Sequence, residues 1–336
     1  MLGRQPSGPD LFQVIRALRS HRYGRFLASE IQCKVFAAVV RNCMFHYCVC
    51  QGGRYRHPRT NRRLPQVRVR TAVPKAPVAD GEIYYETHGR GVPVLLVSGL
   101  GGVASYWVPN IPTFAQKFQV VVHDHRGTGQ STRSRIRYSV DQMTNDLVAV
   151  MDHMGIEKAH LVGHSTGGAI GQTMAVLHAD RLLSLVIYAS WTKADPFFRR
   201  VFEARRALLT EVGVSAYVRS GPVFLYPDWW INQNIALLEE REKTTIPNAS
   251  SPEIGASRID AIIDFERTAD LAKIKTPTMV ICAKDDFVTP PYYSRELTRL
   301  IQGAVLVKLE RGGHCASETN TKAFNEAVLE FLERHS

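Results

Sequence analysis

From residue 73 onward, short apolar runs alternate with stretches whose apolar residues recur every three or four positions. Residues 92–98, 119–123, 159–162, 182–188, 277–283 and 305–309 are the short runs and read as strands; 92–98 is continuous, the pattern of a strand buried on both faces of a sheet, and 119–123 is another buried strand. The helical spacing predicts helices over 104–118, 139–155, 167–177, 292–301 and 321–334. In the second of these, Ser139 stands at the capping position, and Met143, Leu147, Val150 and Met151 form the apolar stripe. Ala79-Asp80-Gly81 is a tight-turn signal between two strand patterns, the second over 82–88, so this region reads as a hairpin. The alternation predicts an α/β fold: a mostly parallel eight-stranded sheet with helices on both faces.

The rhythm breaks at Ala189. Residues 191–270 carry helical patterns without a strand and are rich in aromatic residues, including Phe197, Phe198, Tyr217 and Tyr226. They predict a helical lid inserted after the sixth strand. Within it, Trp191, Phe224, Trp229 and Trp230 are candidates to line a pocket; for Trp229 and Trp230 the alternative is the lid's own core.

Composition divides the chain at the same place as the pattern. The net charge of +11 suggests a nucleic-acid partner until it is located. Residues 1–75 hold fifteen Lys/Arg and two Asp/Glu, leaving 27 and 29 in the remainder, which is therefore nearly neutral. A basic tail with no basic body argues against nucleic-acid binding. Residues 1–72 read as an extension, disordered or non-native, although 11–40 could form a basic amphipathic helix. No stretch is apolar over the roughly 18 residues that a membrane span needs. Cys43, Cys48 and Cys50, with His46 and His57 near, fit no familiar zinc spacing, so no metal is expected. The body, residues 73–336, has just Cys282 and Cys315, which favours a reducing compartment and a cytoplasmic location. An organellar location is the alternative if the Arg-rich, acid-poor extension is a transit peptide.

The chemistry centres on Gly163-His164-Ser165-Thr166-Gly167-Gly168, between a short apolar run and a small-residue helical pattern. Strand, sharp turn and helix around G-x-S-x-G form a nucleophile elbow: the turn strains the serine backbone and lifts its side chain clear of the sheet. Downstream, Asp285-Asp286 and His314 each follow a predicted strand, giving the order Ser, Asp, His. A serine hydroxyl needs a base, imidazole serves near neutral pH, and a carboxylate holds the imidazole in the right tautomer. Ser165, Asp286 and His314 are thus the candidate catalytic residues. His164, His123 and His125 read as structural, Asp124 and Arg126 as pins of a turn, and Cys315 as a bystander.

With these residues in place, the body resembles the α/β-hydrolase fold family from near residue 73 to the end. The elbow, the catalytic order, the lid position and Asp124-x-Arg126-Gly127-x-Gly129-x-Ser131 carry the resemblance. Ser98-Gly99-Leu100-Gly101-Gly102 with Tyr106-Trp107, and Phe224-Leu225-Tyr226-Pro227, are similar to the aminoacrylate/carbamate hydrolases of pyrimidine utilisation and to the enol-lactone hydrolases. The resemblance implies an oxyanion hole from the backbone N–H groups of Leu100 and Thr166, and adds Tyr106 and Trp107 to the pocket candidates. The family spacing acid-x-x-x-Pro, ending at Pro290, selects Asp286 over Asp285.

The expectation is a serine hydrolase without cofactor, acting on small carboxylic esters or lactones, with small amides or carbamates next. Its partner is a small-molecule substrate, without nucleic acid or membrane, and a homodimer is left open. The alternatives on the same fold are a non-enzymatic small-molecule receptor and a C–C bond hydrolase or haloperoxidase.

Overall fold

The structure is a computed structural model and describes residues 74–336. The extension expected over 1–72, with its helix and its cysteine group, lies outside the described residues. The strands are β1 (Lys75–Val78), β2 (Gly81–His88), β3 (Pro93–Val97), β4 (Gln119–His123), β5 (Ala159–His164), β6 (Leu182–Tyr188), β7 (Thr278–Ala283) and β8 (Val305–Leu309). They form one eight-stranded sheet in the order β1-β2-β4-β3-β5-β6-β7-β8. The first two strands make the expected hairpin, with Val78 opposite Gly81, and β2 runs antiparallel to β4. Every other pairing is parallel.

Alternate residues along each interior strand feed two separate cores, because successive side chains leave a strand on opposite faces. Leu95, Val97, Leu161, Leu185, Ile187 and Val280 pack on one side. Val94, Leu96, Val162, Val186, Tyr188 and Ile281 pack on the other. This two-sided burial is why these runs are apolar throughout rather than alternating. The first core is covered by α2 (Val140–His153), in which Ser139 accepts a bond from the Gln142 amide and Met143, Leu147, Val150 and Met151 are buried. It is covered also by α3 (Thr166–Leu177), which follows β5 directly.

One expected helix is absent. Residues 104–118 form a 3-10 turn, Ala104–Trp107, and a single helical turn, α1 (Ile111–Phe114). Pro109 and Pro112 explain the break. A proline inside a helix removes a donor and collides with the carbonyl four residues back, whereas at the first turn it is tolerated, which is where Pro112 sits. Trp107 and Phe114 still reach the second core.

Between β6 and β7 the chain is helical, as α4 (Pro196–Ala207), α5 (Val214–Leu225), α6 (Asp228–Gln233), α7 (Ile235–Asn248) and α8 (Pro252–Ile263). An isolated bridge, Lys193 to Glu266, closes the base of this insertion. After β7 come α9 (Pro291–Leu300), β8, the short α10 (Ala316–Thr319) and α11 (Thr321–Glu333). Among the described residues, no helix is long and apolar enough to cross a membrane.

Four buried histidines are held neutral by this packing. Burial pulls His123 and His160 down to about 4, helped by the charges of Arg258 and His335 respectively. Burial holds His125 and His164 well below the usual 6.5. The native state therefore stays unprotonated at these sites while the unfolded chain takes up protons below about 6.5. Their contribution to stability is complete above that pH and is lost as pH falls toward 4. The free energy of unfolding in urea should accordingly decline from about pH 7 to about pH 5, each such histidine adding up to about 1.4 kcal/mol per pH unit. His160→Gln should flatten the slope; an identical slope in the variant would mean that His160 is charged in the folded protein.

Candidate active site

Ser165 sits at the junction of β5 and α3 with φ 53 and ψ −113. A non-glycine residue in this region stores about 1–3 kcal/mol of strain. Hydrogen bonds on both sides hold it there. Its amide donates to the Tyr188 carbonyl at 2.8 Å, and its carbonyl accepts from the amides of Gly168 at 2.9 Å and Ala169 at 3.2 Å. The Ser190 hydroxyl donates to the same carbonyl at 2.9 Å.

The glycines of the motif are required by contact. A Cβ on Gly163 would lie 2.2 Å from the Gly167 carbonyl oxygen, and one on Gly167 would lie 2.2 Å from that of Val97. A Cβ on Gly168 would lie 2.6 Å from the Ser190 Cβ. Strand β3, the elbow and the loop after β6 thus cross with no room for a methyl group.

His314 lies in the loop after β8 and is 2% exposed. Its Nδ1 donates to Asp286 at 3.0 and 3.1 Å, which leaves Nε2 with the basic lone pair. Asp286 is fixed in turn by the amides of Val288 and Thr289, both at 2.9 Å, and by the Thr289 hydroxyl at 2.8 Å. The neighbouring Asp285 does something else. Its Oδ1 accepts from the amides of Gly312 at 2.8 Å and Gly313 at 2.9 Å, shaping the turn that delivers His314.

Two further groups hold the His314 carbonyl: the Tyr188 hydroxyl at 2.8 Å and His164 Nε2 at 3.0 Å. His164 is buried and stacks on Tyr106 at 4.6 Å, and burial keeps it neutral, so it braces the site without carrying charge. Tyr188 and Ser190 carried no signal in the sequence: one ends a buried strand and the other is a loop serine. Cys315 is buried, and burial pushes its thiol up.

On the other side of the elbow passes the loop Gly99–Gly102. A Cβ on Gly99 would lie 3.0 Å from His164 Nδ1 and 3.2 Å from the Ser165 Cβ, so this loop is pressed against Ser165. The Gly102 amide bonds the Gly99 carbonyl at 3.0 Å. That bond fixes the Gly99–Leu100 peptide and turns the Leu100 N–H the opposite way. Among the described residues, neither the Leu100 amide nor the Thr166 amide donates to another group. The Thr166 amide is also the first of α3, at the positive end of the helix dipole.

A cavity of about 440 Å³ opens from this loop beneath the lid, with Leu100, Gly101, Thr128, Tyr217, Thr244 and Arg258 in its wall. None of the six aromatic candidates lines it. Trp107 and Trp191 are fully buried, Trp107 against Phe324 and Trp191 against Phe198 and Phe265, and they belong to the cores. Trp230 stacks on Tyr226 at 4.4 Å, and Trp229 lies under the Arg311 guanidinium at 4.7 Å. Tyr106 is spent on His164 and on a 2.8 Å bond with Ser317. Phe224 lies between the Arg205 guanidinium at 5.4 Å and Phe287 at 6.4 Å, beside Asp286. Most of these rings serve packing between short helices, whereas Tyr217 of the insertion stands in the cavity wall. Among the described residues, no group of three or more His, Cys, Asp or Glu is placed to hold a metal ion.

Residues 92–211 match the alpha/beta hydrolase fold family, and residues 263–336 match a family described as TAP-like protein. The chain is 40% identical over 259 residues to the "Putative carbamate hydrolase RutD" of Azorhizobium caulinodans, covering 77% of this chain and 98% of that protein. A protein of the same name from Caulobacter sp. is 40% identical over 255 residues, 74% of this chain and 95% of its own. Among solved structures, the enol-lactonase from Burkholderia xenovorans LB400 superposes with a TM-score of 0.72 at 26% identity, over 77% of this chain and all of that one. Est816, described as an N-acyl homoserine lactone degrading enzyme, superposes at 0.67 with 25% identity, again over 77% of this chain and all of its own.

The two adjacent carboxylates should separate cleanly. Asp286→Asn removes the charge facing His314 Nδ1 and should lower turnover by about three to four orders of magnitude. Asp285→Asn keeps an oxygen for the Gly312 and Gly313 amides and should cost no more than a few-fold, with a modest fall in melting temperature. Steady-state kinetics of the two variants side by side checks this; equal losses would contradict the division of labour.

Proposed function

The chain belongs to the α/β-hydrolase family and is a hydrolase, and on that premise we propose that it cleaves small acyl compounds through Ser165, His314 and Asp286. The observation that carries this reading is a strained serine at the elbow together with a histidine whose Nδ1 is locked to a buried carboxylate in the neighbouring loop. His314 Nε2 takes the Ser165 proton as Oγ attacks the acyl carbon. The carbonyl electrons move to oxygen, and the oxyanion is received by the amides of Leu100 and Thr166. His314 then gives the proton to the departing oxygen or nitrogen, the tetrahedral centre collapses, and an acyl-serine remains. Water, deprotonated by the same imidazole, releases the acid and restores Ser165.

Lactones, esters and carbamates are the substrate classes proposed. Support comes from the carbamate hydrolase name borne by relatives at 40% identity and from the fit to an enol-lactonase. A cavity of about 440 Å³ adjoins Leu100, with neither Ser165 nor His314 in its wall, and its volume falls in the range of small-molecule sites. Cys282 and Cys315 are free thiols, which supports placing the protein in a reducing compartment such as the cytoplasm.

A fluorophosphonate probe should label the wild type on Ser165 and leave Ser165→Ala unlabelled. The variant should fold normally and lose roughly three to six orders of magnitude in turnover on a panel of p-nitrophenyl acetate, γ-butyrolactone and a phenyl carbamate. Labelling or hydrolysis that survives in Ser165→Ala would overturn the reading.

A further inference from the structure

Arg258 is a buried cation that the mechanism above leaves unused. It lies on α8 of the lid and is 2% exposed. Among the described residues it stands in no ion pair within 4 Å; Asp146, the carboxylate that acts on it, is bonded to Arg126. Burial pulls the guanidinium down to about 10, so it is charged at neutral pH. An unpaired buried charge is expensive, and a neutral side chain of the same volume would be the cheaper way to fill the space.

What the guanidinium touches explains its retention. One nitrogen, NH1, donates to the Arg126 carbonyl at 2.8 Å. The other, NH2, donates to the Leu100 carbonyl at 3.0 Å and lies 3.2 Å from His125 Nδ1. Burial and the stacked His123 keep His125 neutral, and it therefore serves as an acceptor that does not compete for charge. The rest of the loop is secured from the core. Gly99 O is bonded by the Gly102 amide, and Gly102 O by the His125 amide at 2.7 Å and the Thr128 hydroxyl at 2.6 Å. Among the described residues, Arg258 is the donor that reaches the Leu100 carbonyl. The contact is close enough that a Cβ on Gly102, whose φ is +67, would fall 2.7 Å from Arg258 NH2.

We propose that Arg258 is a positioning residue for the oxyanion hole: from the lid, it holds the Leu100 carbonyl and sets a fixed positive charge behind the loop whose Leu100 amide receives the developing oxyanion. This rests on the assignment of Leu100 to the oxyanion hole. Three of its five N–H groups go to the two carbonyls and His125, and Arg258 also lines the cavity, so KM is the readout that separates positioning from substrate anchoring. The consequence is that the lid and the oxyanion loop act as one unit, and a displacement of α8 removes both the bond and the charge from the loop.

The test uses the full chain with Arg258→Lys, Arg258→Gln and Arg258→Met. Readouts are the melting temperature, the fluorophosphonate labelling rate of Ser165, and kcat and KM for p-nitrophenyl acetate. Arg258→Met should lower kcat and the labelling rate together by about 10–100-fold, somewhat less than deleting an oxyanion donor outright, with KM within about three-fold. Arg258→Lys should recover part of the loss, because it keeps the charge but presents its donors from a single nitrogen that cannot span both carbonyls, and Arg258→Gln should recover less. A folded Arg258→Met with wild-type kcat overturns the proposal, as does a rise in KM at constant kcat, which would make Arg258 a binding residue. Gln equal to Lys overturns the role of the charge. Should Arg258→Met fail to fold, Arg258→Lys decides: reduced kcat at unchanged KM supports the proposal and wild-type kcat overturns it. A wild type that is not labelled at Ser165 sinks the serine-hydrolase reading itself; a labelled wild type with an equally reactive Arg258→Met sinks this inference alone.

Discussion

The crossing of β3, β5 and α3 at Gly163 and Gly167 is the constraint on which the molecule turns. Backbone meets backbone there at a distance that excludes even one Cβ, and the chain can reverse from strand to helix within a single residue. That residue is Ser165, and its positive φ is sustained by hydrogen bonds from α3 and the loop after β6, and to the end of β6 itself. The strain of about 1–3 kcal/mol is small against what the flanking strands contribute, since each fully buried Val or Leu is worth roughly 1.5–3 kcal/mol. A sheet with two complete cores can therefore impose a conformation that a short peptide would reject.

The same economy organises the histidine. His314 sits in a loop, where mobility is the default, yet its neighbourhood is tied at several points. Asp285 shapes the turn, Asp286 holds the ring, and His164 and Tyr188 hold the carbonyl. Two adjacent acids divide into a backbone anchor and a ring partner because their side chains leave the chain in different directions. His164 and Tyr188 extend from the ends of neighbouring parallel strands, so the register of β5 on β6 is transmitted directly to the His314 loop.

The lid enters the site through its polar backbone contacts more than through its rings. Helix α8 reaches the loop after β3 through Arg258, and the end of α5 reaches the His314 loop, where the Cys315 amide donates to the Leu225 carbonyl at 3.2 Å. The insertion therefore touches both loops that frame Ser165. Its aromatic residues are largely consumed in packing, as with Trp191 on Phe198.

The interior strands were legible in the sequence because burial on both faces leaves a mainly apolar run; β4 and β6 were delimited to the residue, as was the last strand, β8, whose Val305 and Lys308 are exposed. The Ser139 helix was legible from its cap and stripe, and the elbow from glycines that no other residue can replace. The helix expected over 104–118 was lost to Pro109 and Pro112, whose local veto outweighed the apolar spacing. Also legible was the order of Ser165, Asp286 and His314, each following a strand. What only the tertiary structure decided were contacts between residues far apart in the chain: Tyr188 and His164 on the His314 carbonyl, Ser190 on Ser165, Arg258 on Leu100, and the removal of Trp107 and Trp191 from the pocket into the cores. Periodicity and turn chemistry are local and can be read along one dimension. A hydrogen bond spanning 150 residues, such as that from His164 to His314, depends on strand order and register, and these exist only once the sheet has formed.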